Sequence, residues 1–109
     1  MSAVASVSSF AASGSIHITN DIARNGKPLL GSTAYVGGGT WTYGTSVVEY
    51  GTKKECYSYY IHPTMYHYSR AKIGQHGDSE RVYEMAGEES KATARGGWFD
   101  ETHAYWGTD

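Results

Sequence analysis

The chain has 109 residues and a formal net charge of −2, which gives room for one domain and no basic excess of the kind that binds nucleic acid. It contains 10 Tyr, 3 Trp and 14 Gly, whereas Leu occurs only at Leu29 and Leu30, which argues against a leucine-rich helical core. Tyr, Trp, Val and Thr suit the half-buried faces of strands, and Gly supplies turns. We therefore predict an all-β fold.

The first 34 residues differ in composition from the rest of the chain. Every Tyr and Trp lies at position 35 or later, and Phe10 is the one aromatic residue before that boundary. Residues 12–34 are small, polar and rich in turn residues, without a sustained period. We predict that they form an irregular linker or pro-segment with at most a short strand at Ile16–Ile18.

Residues 1–11 allow two interpretations. They end in Ser9-Phe10-Ala11, which places small residues at the −3 and −1 positions that signal peptidase prefers, but no Lys or Arg precedes Arg24. The segment is therefore either the back half of a secretory signal or a disordered cytoplasmic N terminus. It is too short to span a bilayer and no other apolar run comes close, so we expect no transmembrane helix.

The glycine run in Tyr35–Gly44 (YVGGGTWTYG) raises the question of a phosphate-binding loop. Thr42 stands where a dinucleotide loop needs its third Gly, and no Lys follows as it does in a P-loop. Trp41 and Tyr43 instead alternate with threonines, as in a strand. We predict that the glycines form a hinge between the leader and the first strand of the domain.

Further segments with strand-like alternation follow, separated by turn residues. Ser79–Ala94 allows either a short helix or an irregular strand, because its acidic start could cap a helix but Gly87 interrupts it. The predicted strands total five or six, which indicates a small sandwich or barrel. They are Gly39–Gly44, Ser46–Tyr50 as its continuation or as a separate strand, Cys56–His62, Met65–Ile73, Arg95–Asp100 and Glu101–Gly107.

Signals for catalysis and metal binding are weak. Asp100 and Glu101 are adjacent, so on a strand they would point to opposite faces, and no motif marks the cysteine as a nucleophile. Four histidines and the cysteine could supply zinc ligands, but no CxxC or HExxH spacing is present. We predict no enzyme activity, no cofactor and no metal. The ligands considered are His62, His67, His76, His103 and Cys56.

The segment Met65–Ile73 offers the best candidate for ligand binding. Its alternation predicts that one face packs inward, with Met65, His67, Ala71 and Ile73 as the packed set. The opposite face is either an ordinary solvated face or an aromatic and cationic strip suited to sugar rings and phosphates. Its residues are Tyr66, Tyr68, Arg70 and Lys72, of which we expect Arg70 to contribute most to binding.

The order of these segments resembles the lactococcin 972 family of bacteriocins over about residues 36–109. The resemblance rests on GGGTWTYG, YSYYIH, MYHYSRAKIG, SKATARGGWFD and THAYWG in that order. It implies a small β-sandwich of two three-stranded antiparallel sheets over residues 35–109, without disulfides and able to form a homodimer. Within the same segments we predict a structural aromatic core of Trp41, Tyr43, Trp98, Tyr105 and Trp106.

The resemblance also implies a secreted protein, with residues 1–34 as a signal remnant and linker. The type member binds the cell-wall precursor lipid II and blocks septum formation without making pores, and a producer would carry dedicated immunity and export proteins. We therefore expect a non-enzymatic bacteriocin that inhibits cell-wall synthesis in related Gram-positive bacteria. The alternative is a carbohydrate-binding or cell-surface adhesion module, and a small hydrolase has the least support.

Two features depart from the family pattern. The aromatic half has 7 Lys and Arg against 10 Asp and Glu, so generic attraction to an anionic envelope cannot drive binding. Cys56 is the single cysteine, which rules out an intrachain disulfide but could permit a covalent dimer outside the cell. A domain of about 75 residues then depends on aromatic packing or on a core shared with a second copy.

Overall fold

The computed structural model describes residues 12–18 and 32–109, and these form strands, turns and no helix. The all-β prediction is therefore confirmed. Within this part of the chain no helix is present that could cross a membrane. The strands are β1 (Ser13–Ile18), β2 (Ser32–Val36), β3 (Gly39–Val48), β4 (Lys53–Ile61), β5 (His67–Ile73), β6 (Gly77–Asp78), β7 (Val82–Glu84), β8 (Glu89–Gly96) and β9 (Thr102–Thr108).

The strands form two antiparallel sheets that pack face to face. Sheet I has five strands in the order β1-β9-β5-β6, with β7 also pairing with β5. Sheet II has four strands in the order β2-β3-β4-β8. The two antiparallel sheets agree with the predicted architecture, but they have five and four described strands rather than three each. Without β1 and β2 near the N terminus and the short β6 and β7, two strands remain in sheet I (β5 and β9) and three in sheet II (β3, β4 and β8).

The segment predicted to be an irregular linker contributes a strand to each sheet. Ser13–Ile18 pairs along its whole length with β9, so that Ile16 lies opposite Ala104, and Ser32–Val36 pairs with β3. Burial in β1 alternates, with Ile18 buried and His17 exposed. The prediction failed because Ser and Gly have low strand propensity, and here the neighbouring strand supplies the order. The predicted signal remnant at residues 1–11 lies outside the described residues.

The glycine run forms a tight β-hairpin and not a hinge. Gly37 and Gly38 have φ angles of +61° and +88°, and Val36 pairs with Gly39 on either side of them. Two positive φ angles in a two-residue loop are typical of a type I′ turn, whose twist matches that of the flanking strands. The run therefore joins β2 to β3.

The region after β6 also differs from its prediction. Ser79–Ala94 contains strands β7 and β8, joined by a turn in which Gly87 has a φ of +86°, so neither a helix nor a single irregular strand forms. Residues 97–100, predicted to continue a strand, form a turn. Asp100 closes it, since its carboxylate accepts a hydrogen bond from Gly97 N (2.8 Å) and its carbonyl accepts one from Lys54 Nζ (3.1 Å).

The inner faces of the two sheets combine a few large aromatic rings with many small residues. Trp41, Tyr60 and Trp106 form the aromatic part, with ring centroids 6.5 Å apart for the two tryptophans and 5.1 Å apart for Tyr60 and Trp106. The rest of the core is mostly small, and it allows the sheets to approach closely. Its members are Ile18, Cys56, Ala71, Ile73, Ala92, Ala94 and Ala104.

Hydroxyl groups join the two sheets across this core. Ser58 of sheet II accepts a hydrogen bond from Trp41 Nε1 (2.9 Å) and donates one to Tyr105 O of sheet I (2.8 Å). Ser69 of sheet I donates to Ser90 O of sheet II (3.0 Å), and the two hydroxyls lie 3.0 Å apart. All three serines are fully buried, so these bonds replace the hydration that their hydroxyls lose on folding.

Cys56 lies in the same inter-sheet layer and is inaccessible to a second copy of the folded chain. Its side chain is fully buried and its Sγ lies 3.5 Å from His103 O. Burial raises the pKa of this thiol to about 12, which suppresses the reactive thiolate. The covalent dimer considered from the sequence would therefore require the sheets to separate.

Replacing Ser58 with Ala should destabilise the protein by about 1–3 kcal/mol, because the buried Trp41 N–H loses its acceptor. The free energy of unfolding from urea denaturation measures this change. Ser15→Ala, at an exposed position of β1, serves as the matched control and should change the free energy by less than about 0.5 kcal/mol. Equal effects of the two substitutions would contradict the role given to the inter-sheet hydroxyl.

Cys56 should react with an aromatic disulfide reagent far more slowly in the native protein than in denaturant. The expected reason is that both its burial and its raised pKa keep the thiol from attacking. Absorbance of the released thiolate at pH 8, with and without urea, gives the two rates. Fast labelling without urea would show that the inter-sheet layer opens readily.

Candidate functional site

The predicted binding strip lies on the outer face of sheet I, along β5. His67, Ser69, Ala71 and Ile73 are buried on the inner face, as the alternation predicted, whereas Met65 precedes the strand and is partly exposed. The outer face of β5 carries Tyr68, Arg70 and Lys72, and Tyr66 comes directly before it. The four candidate residues therefore do share one side of the sheet, but their environments differ.

Tyr68 is buried although it points outward, with only 8% of its surface exposed. Its ring covers the neighbouring strand at Gly107, where an added Cβ would lie 2.3 Å from the ring. On its other side the guanidinium of Arg81 lies 4.3 Å from the ring centroid. A ligand could not stack on Tyr68 unless Arg81 moved away.

The accessible aromatic part of this face is a pair of stacked tyrosines. Tyr66 and Tyr83 have ring centroids 5.1 Å apart and an interplanar angle of 14°, and Tyr66 is 44% exposed. The pairing of β5 with β7 sets Tyr68 directly opposite Tyr83, which brings the pair together. This ordered pair, with Tyr66 exposed and Tyr83 partly buried, offers flat apolar area and phenol hydroxyl groups to a ligand.

Arg70 is held by an intramolecular ion pair. Its Nε donates to Asp78 Oδ1 (2.9 Å) and its Nη2 to Asp78 Oδ2 (2.5 Å), which uses the guanidinium in a bidentate pair. The hydrogen bond from Arg70 is the largest cause that lowers the pKa of Asp78 to about 2. The guanidinium carbon also lies 5.3 Å from the centroid of the Tyr105 ring. Arg70 thus has less capacity for an external anion than the sequence suggested.

Arg81 is the better-placed cation, and the sequence analysis missed it. Its Nη1 donates to the hydroxyl of Tyr83 (3.2 Å), and its other contact is the face of Tyr68, so its charge is not shared with a carboxylate in any ion pair between described residues. Its place on the face depends on the pairing of β5 with β7. The two-residue spacing of Arg81 and Tyr83 is the one local sign that both belong to the same face.

We refer to these side chains together as the tyrosine–arginine surface. Beside them lies a groove of about 500 Å³. Two arginines and two acids line it, so that its formal charges cancel. The surface comprises Tyr66, Tyr68, Arg70, Arg81, Tyr83 and Tyr105, and the groove is lined by Arg70, Asp78, Glu80, Arg81 and Tyr83.

Lys72, the fourth candidate, lies apart from this groove. It is opposite Asp78 on β6 and His103 on β9, and it lines a separate depression with Gln75 and Glu101. The structure therefore brings Tyr66 and Arg70 together with Arg81 and Tyr83 but leaves Lys72 at the other end of the strand.

The five residues predicted as an aromatic core occupy three different environments. Trp41 and Trp106 are buried in the core, and Tyr43 is partly buried and packs against it. Tyr105 lies on the outer face beside Arg70. Trp98 lies in the turn after β8 and donates a hydrogen bond from Nε1 to Gly51 O (2.9 Å). Tyr105 differs from the prediction because neighbouring residues of a strand point to opposite faces, and Trp106 is the one that points inward. Trp98 differs because residues 97–100 form a turn and not a strand.

Two of the histidines considered as zinc ligands, His62 and His67, are already engaged by the backbone. Nδ1 of His62 accepts hydrogen bonds from Thr64 N and Met65 N, and its Nε2 lies 3.0 Å from Gly37 O. Both ring nitrogens of His67 lie within 2.8 Å of carbonyl oxygens. With Cys56 buried and protonated, this group of residues offers neither a metal site nor a Cys–His dyad.

Lowering the pH should remove the stabilisation that the Arg70–Asp78 pair provides. Because the pKa of Asp78 falls from 3.8 to about 2 in the folded state, the contribution is complete above about pH 4 and lost as the pH approaches 2. Allowing for its partial exposure, we expect about 1 kcal/mol. Urea unfolding at pH 6 and pH 2.5 should show a difference between wild type and Asp78→Asn that shrinks at the lower pH.

The matched control for this experiment is Glu88→Gln, since Glu88 is exposed and forms no ion pair with the other described residues. It should differ from wild type by the same small amount at both pH values. A gap between wild type and Asp78→Asn that stays constant with pH would contradict the ion-pair assignment.

Comparison with known proteins gives a family match. A family model described as Bacteriocin (Lactococcin_972) matches residues 37–106, which span β3 to β8 and most of β9. No curated protein and no solved structure matches the chain significantly. The family match covers more than half of the chain and agrees with the resemblance in the sequence. The chain therefore belongs to the lactococcin 972 family of bacteriocins.

Proposed function

We propose that this bacteriocin is secreted and inhibits cell-wall synthesis and septation in related Gram-positive bacteria by binding lipid II at the tyrosine–arginine surface. The observation that carries the proposal is the juxtaposition of the stacked Tyr66 and Tyr83, of which Tyr66 is exposed, with Arg81, which lines the adjacent groove. Family membership supports the antibacterial activity. The target, the mode of inhibition and the surface are our proposal.

The chemistry of lipid II matches the two parts of this surface. Its sugar rings present apolar faces that stack on phenol rings, which Tyr66 and Tyr83 offer. Its pyrophosphate oxygens accept hydrogen bonds from a guanidinium, and Arg81 is the arginine on this face without a bound carboxylate among the described residues. The headgroup of lipid II could therefore contact the two tyrosines through its sugars and Arg81 through its pyrophosphate.

The balance of positive and negative charges in the groove favours a specific ligand over anionic polymers in general. The groove carries Asp78 and Glu80 as well as Arg70 and Arg81, so it has no net positive field to attract anionic polymers. Hydroxyl-rich sugars, by contrast, can bond to carboxylates and guanidinium groups alike. A ligand with both sugar and phosphate parts suits the groove better than a phosphate alone.

Secretion belongs to the same proposal. Ala12 is bound to the end of β9, since its N–H donates to Thr108 Oγ1 (2.9 Å) and its carbonyl accepts from Thr108 N (2.8 Å). Signal cleavage after Ala11 would leave β1 complete, whereas cleavage beyond Ile18 would remove a strand from sheet I. We therefore place the mature N terminus at the start of β1.

A carbohydrate-binding or adhesion module is the second candidate. A groove of about 690 Å³ lies by the β2–β3 hairpin and is lined by Tyr35, Thr40, Ile61, Pro63 and three glycines. Tyr35 is 83% exposed there. A sugar could stack on this ring without involving sheet I at all. Such a protein would coat cells and leave septation unaffected.

Replacing Arg81 with Ala should weaken both lipid II binding and growth inhibition by roughly tenfold, because a charge-assisted contact to the ligand is lost. Arg95→Ala is the matched control, since Arg95 is an equally exposed arginine on sheet II that pairs with Glu49 and Glu55. Binding to vesicles with and without lipid II gives the affinity. Added lipid II should rescue dividing cells exposed to the wild type.

Three outcomes separate the alternatives. Septation arrest that lipid II relieves, with loss in Arg81→Ala but not in Arg95→Ala, supports the proposal. Binding to cells without arrest, reduced by Tyr35→Ala, supports the adhesion module. Full killing by both arginine variants would show that the docking surface lies elsewhere.

A further inference from the structure

A second group of polar side chains lies near the other end of sheet I's outer face. His17 of β1 and His103 of β9 are direct cross-strand partners, and their rings stack with centroids 4.6 Å apart. Glu101 precedes His103 by two residues, so on an extended chain both side chains project to the same face. Among the described residues, these three form the one cluster of possible metal ligands, with one ligand atom of each residue within 4.8 Å of the others.

We propose that His17, Glu101 and His103 bind a divalent transition metal ion, with Zn²⁺ as the best fit. Two imidazoles and one carboxylate form a common three-ligand set for zinc, which leaves a fourth position for water. Ligands of a tetrahedral zinc ion lie about 3.4 Å apart, given bonds of about 2.0–2.2 Å. His17 and Glu101 are exposed and His103 is partly buried. Because the two imidazole rings stack at an interplanar angle of 19°, their side chains must rotate to direct one nitrogen of each ring at a common ion.

The ring nitrogens of this site differ from those of His62 and His67 in their hydrogen bonding. The ring nitrogens of His62 and His67 are used by the backbone, whereas no hydrogen bond among the described residues uses those of His17 or His103. The Glu101 backbone is fixed independently, since its carbonyl accepts a hydrogen bond from Gly74 N (2.8 Å). The three donors thus come from positioned backbone, and the two imidazole rings are held by stacking, His17 on His103 and His103 beside Tyr105, and not by hydrogen bonds between described residues.

One neighbouring charge opposes the metal. Lys72 lies opposite His103 on β5 and lines the same depression as Glu101. The carboxylate of Glu101 offsets this cation, and the affinity is accordingly that of a modest exposed site and not of a buried structural one.

Metal binding here would hold the N-terminal strand in place. Among the described strands, β1 has six residues and pairs only with β9, and the family match at residues 37–106 does not include it. A metal ion bridging His17 to Glu101 and His103 would link β1 to β9 by coordination bonds. In a chain without disulfides, it would supply the cross-link that small secreted domains often use. This inference is independent of the lipid II proposal.

Titrating the untagged, chelator-treated chain with ZnCl₂ in a calorimeter tests the site. We expect one ion per chain, a melting temperature that rises with Zn²⁺, and slower hydrogen exchange of the β1 amides. Co²⁺ in place of Zn²⁺ should give the visible absorption of a four-coordinate ion. His17→Ala and Glu101→Gln should each weaken the affinity by roughly tenfold or more, because two ligands remain.

His76→Ala is the matched control, as His76 is an exposed histidine in the loop before β6. It should bind Zn²⁺ like the wild type. Glu101→Gln keeps the size of the side chain, so it tests the site even if His17→Ala disturbs β1, and circular dichroism reports the fold of each variant. The proposal is overturned if the wild type binds no Zn²⁺, or if wild type, His17→Ala and Glu101→Gln bind it equally.

Discussion

The close approach of the two sheets through small hydrogen-bonded residues is the constraint on which the rest of the structure depends. Ser58 and Ser69 reach backbone carbonyls on the opposite sheet at 2.8 and 3.0 Å, in a core that also contains four alanines and Cys56. Such a layer buries little apolar surface per residue. Its stability rests on satisfied polar groups as well as on area, and a larger side chain at any of these positions would push the sheets apart.

This constraint explains why the tyrosines are mostly outside. The inner layer has room for a few large rings near one end, where Trp41, Tyr60 and Trp106 meet. Most of the other tyrosines stand on outer faces, where Tyr66 and Tyr83 stack and Tyr68 lies over Gly107. The aromatic richness that the sequence suggested as core material is therefore chiefly surface material. Aromatic surface kept in order by stacking and by glycine opposite a ring is suited to binding.

The parts of the fold that were predictable are those whose own alternation matches their burial. In β5 a period of two places His67, Ala71 and Ile73 inward, and the structure agrees. β1 was underestimated because serine and glycine carry little strand signal, and its order comes from β9, whose partner residues lie about ninety positions later. The turn at residues 97–100 depends on the hydrogen bond from Gly97 N to the Asp100 carboxylate, which an alternating pattern of residues does not predict.

The candidate binding surface was predictable only in part, for a related reason. Alternation along one strand identified the outward face of β5, but the charges on it are set by neighbours. Asp78 on β6 neutralises Arg70, and Arg81, just before β7, reaches the ring of Tyr68. Both neighbours belong to short segments whose pairing with β5 depends on the turns between them. The sequence of one strand thus predicts which side chains point outward. Contacts with neighbouring strands determine which of those side chains remain available to bind a ligand.

The difference between total charge and available side chains also explains how an acidic domain could bind the proposed anionic ligand. Net charge governs long-range attraction, but a bound phosphate responds to the donors within hydrogen-bond distance. Arg70 forms an ion pair with Asp78, and Arg95 forms ion pairs with Glu49 and Glu55. These acids offset the charge of two arginines that would otherwise attract any polyanion. Arg81 keeps donor capacity and is oriented by Tyr68 and Tyr83. An acidic domain can therefore present one directed cation next to aromatic rings, which favours a ligand that carries both phosphate and sugar over one that carries charge alone.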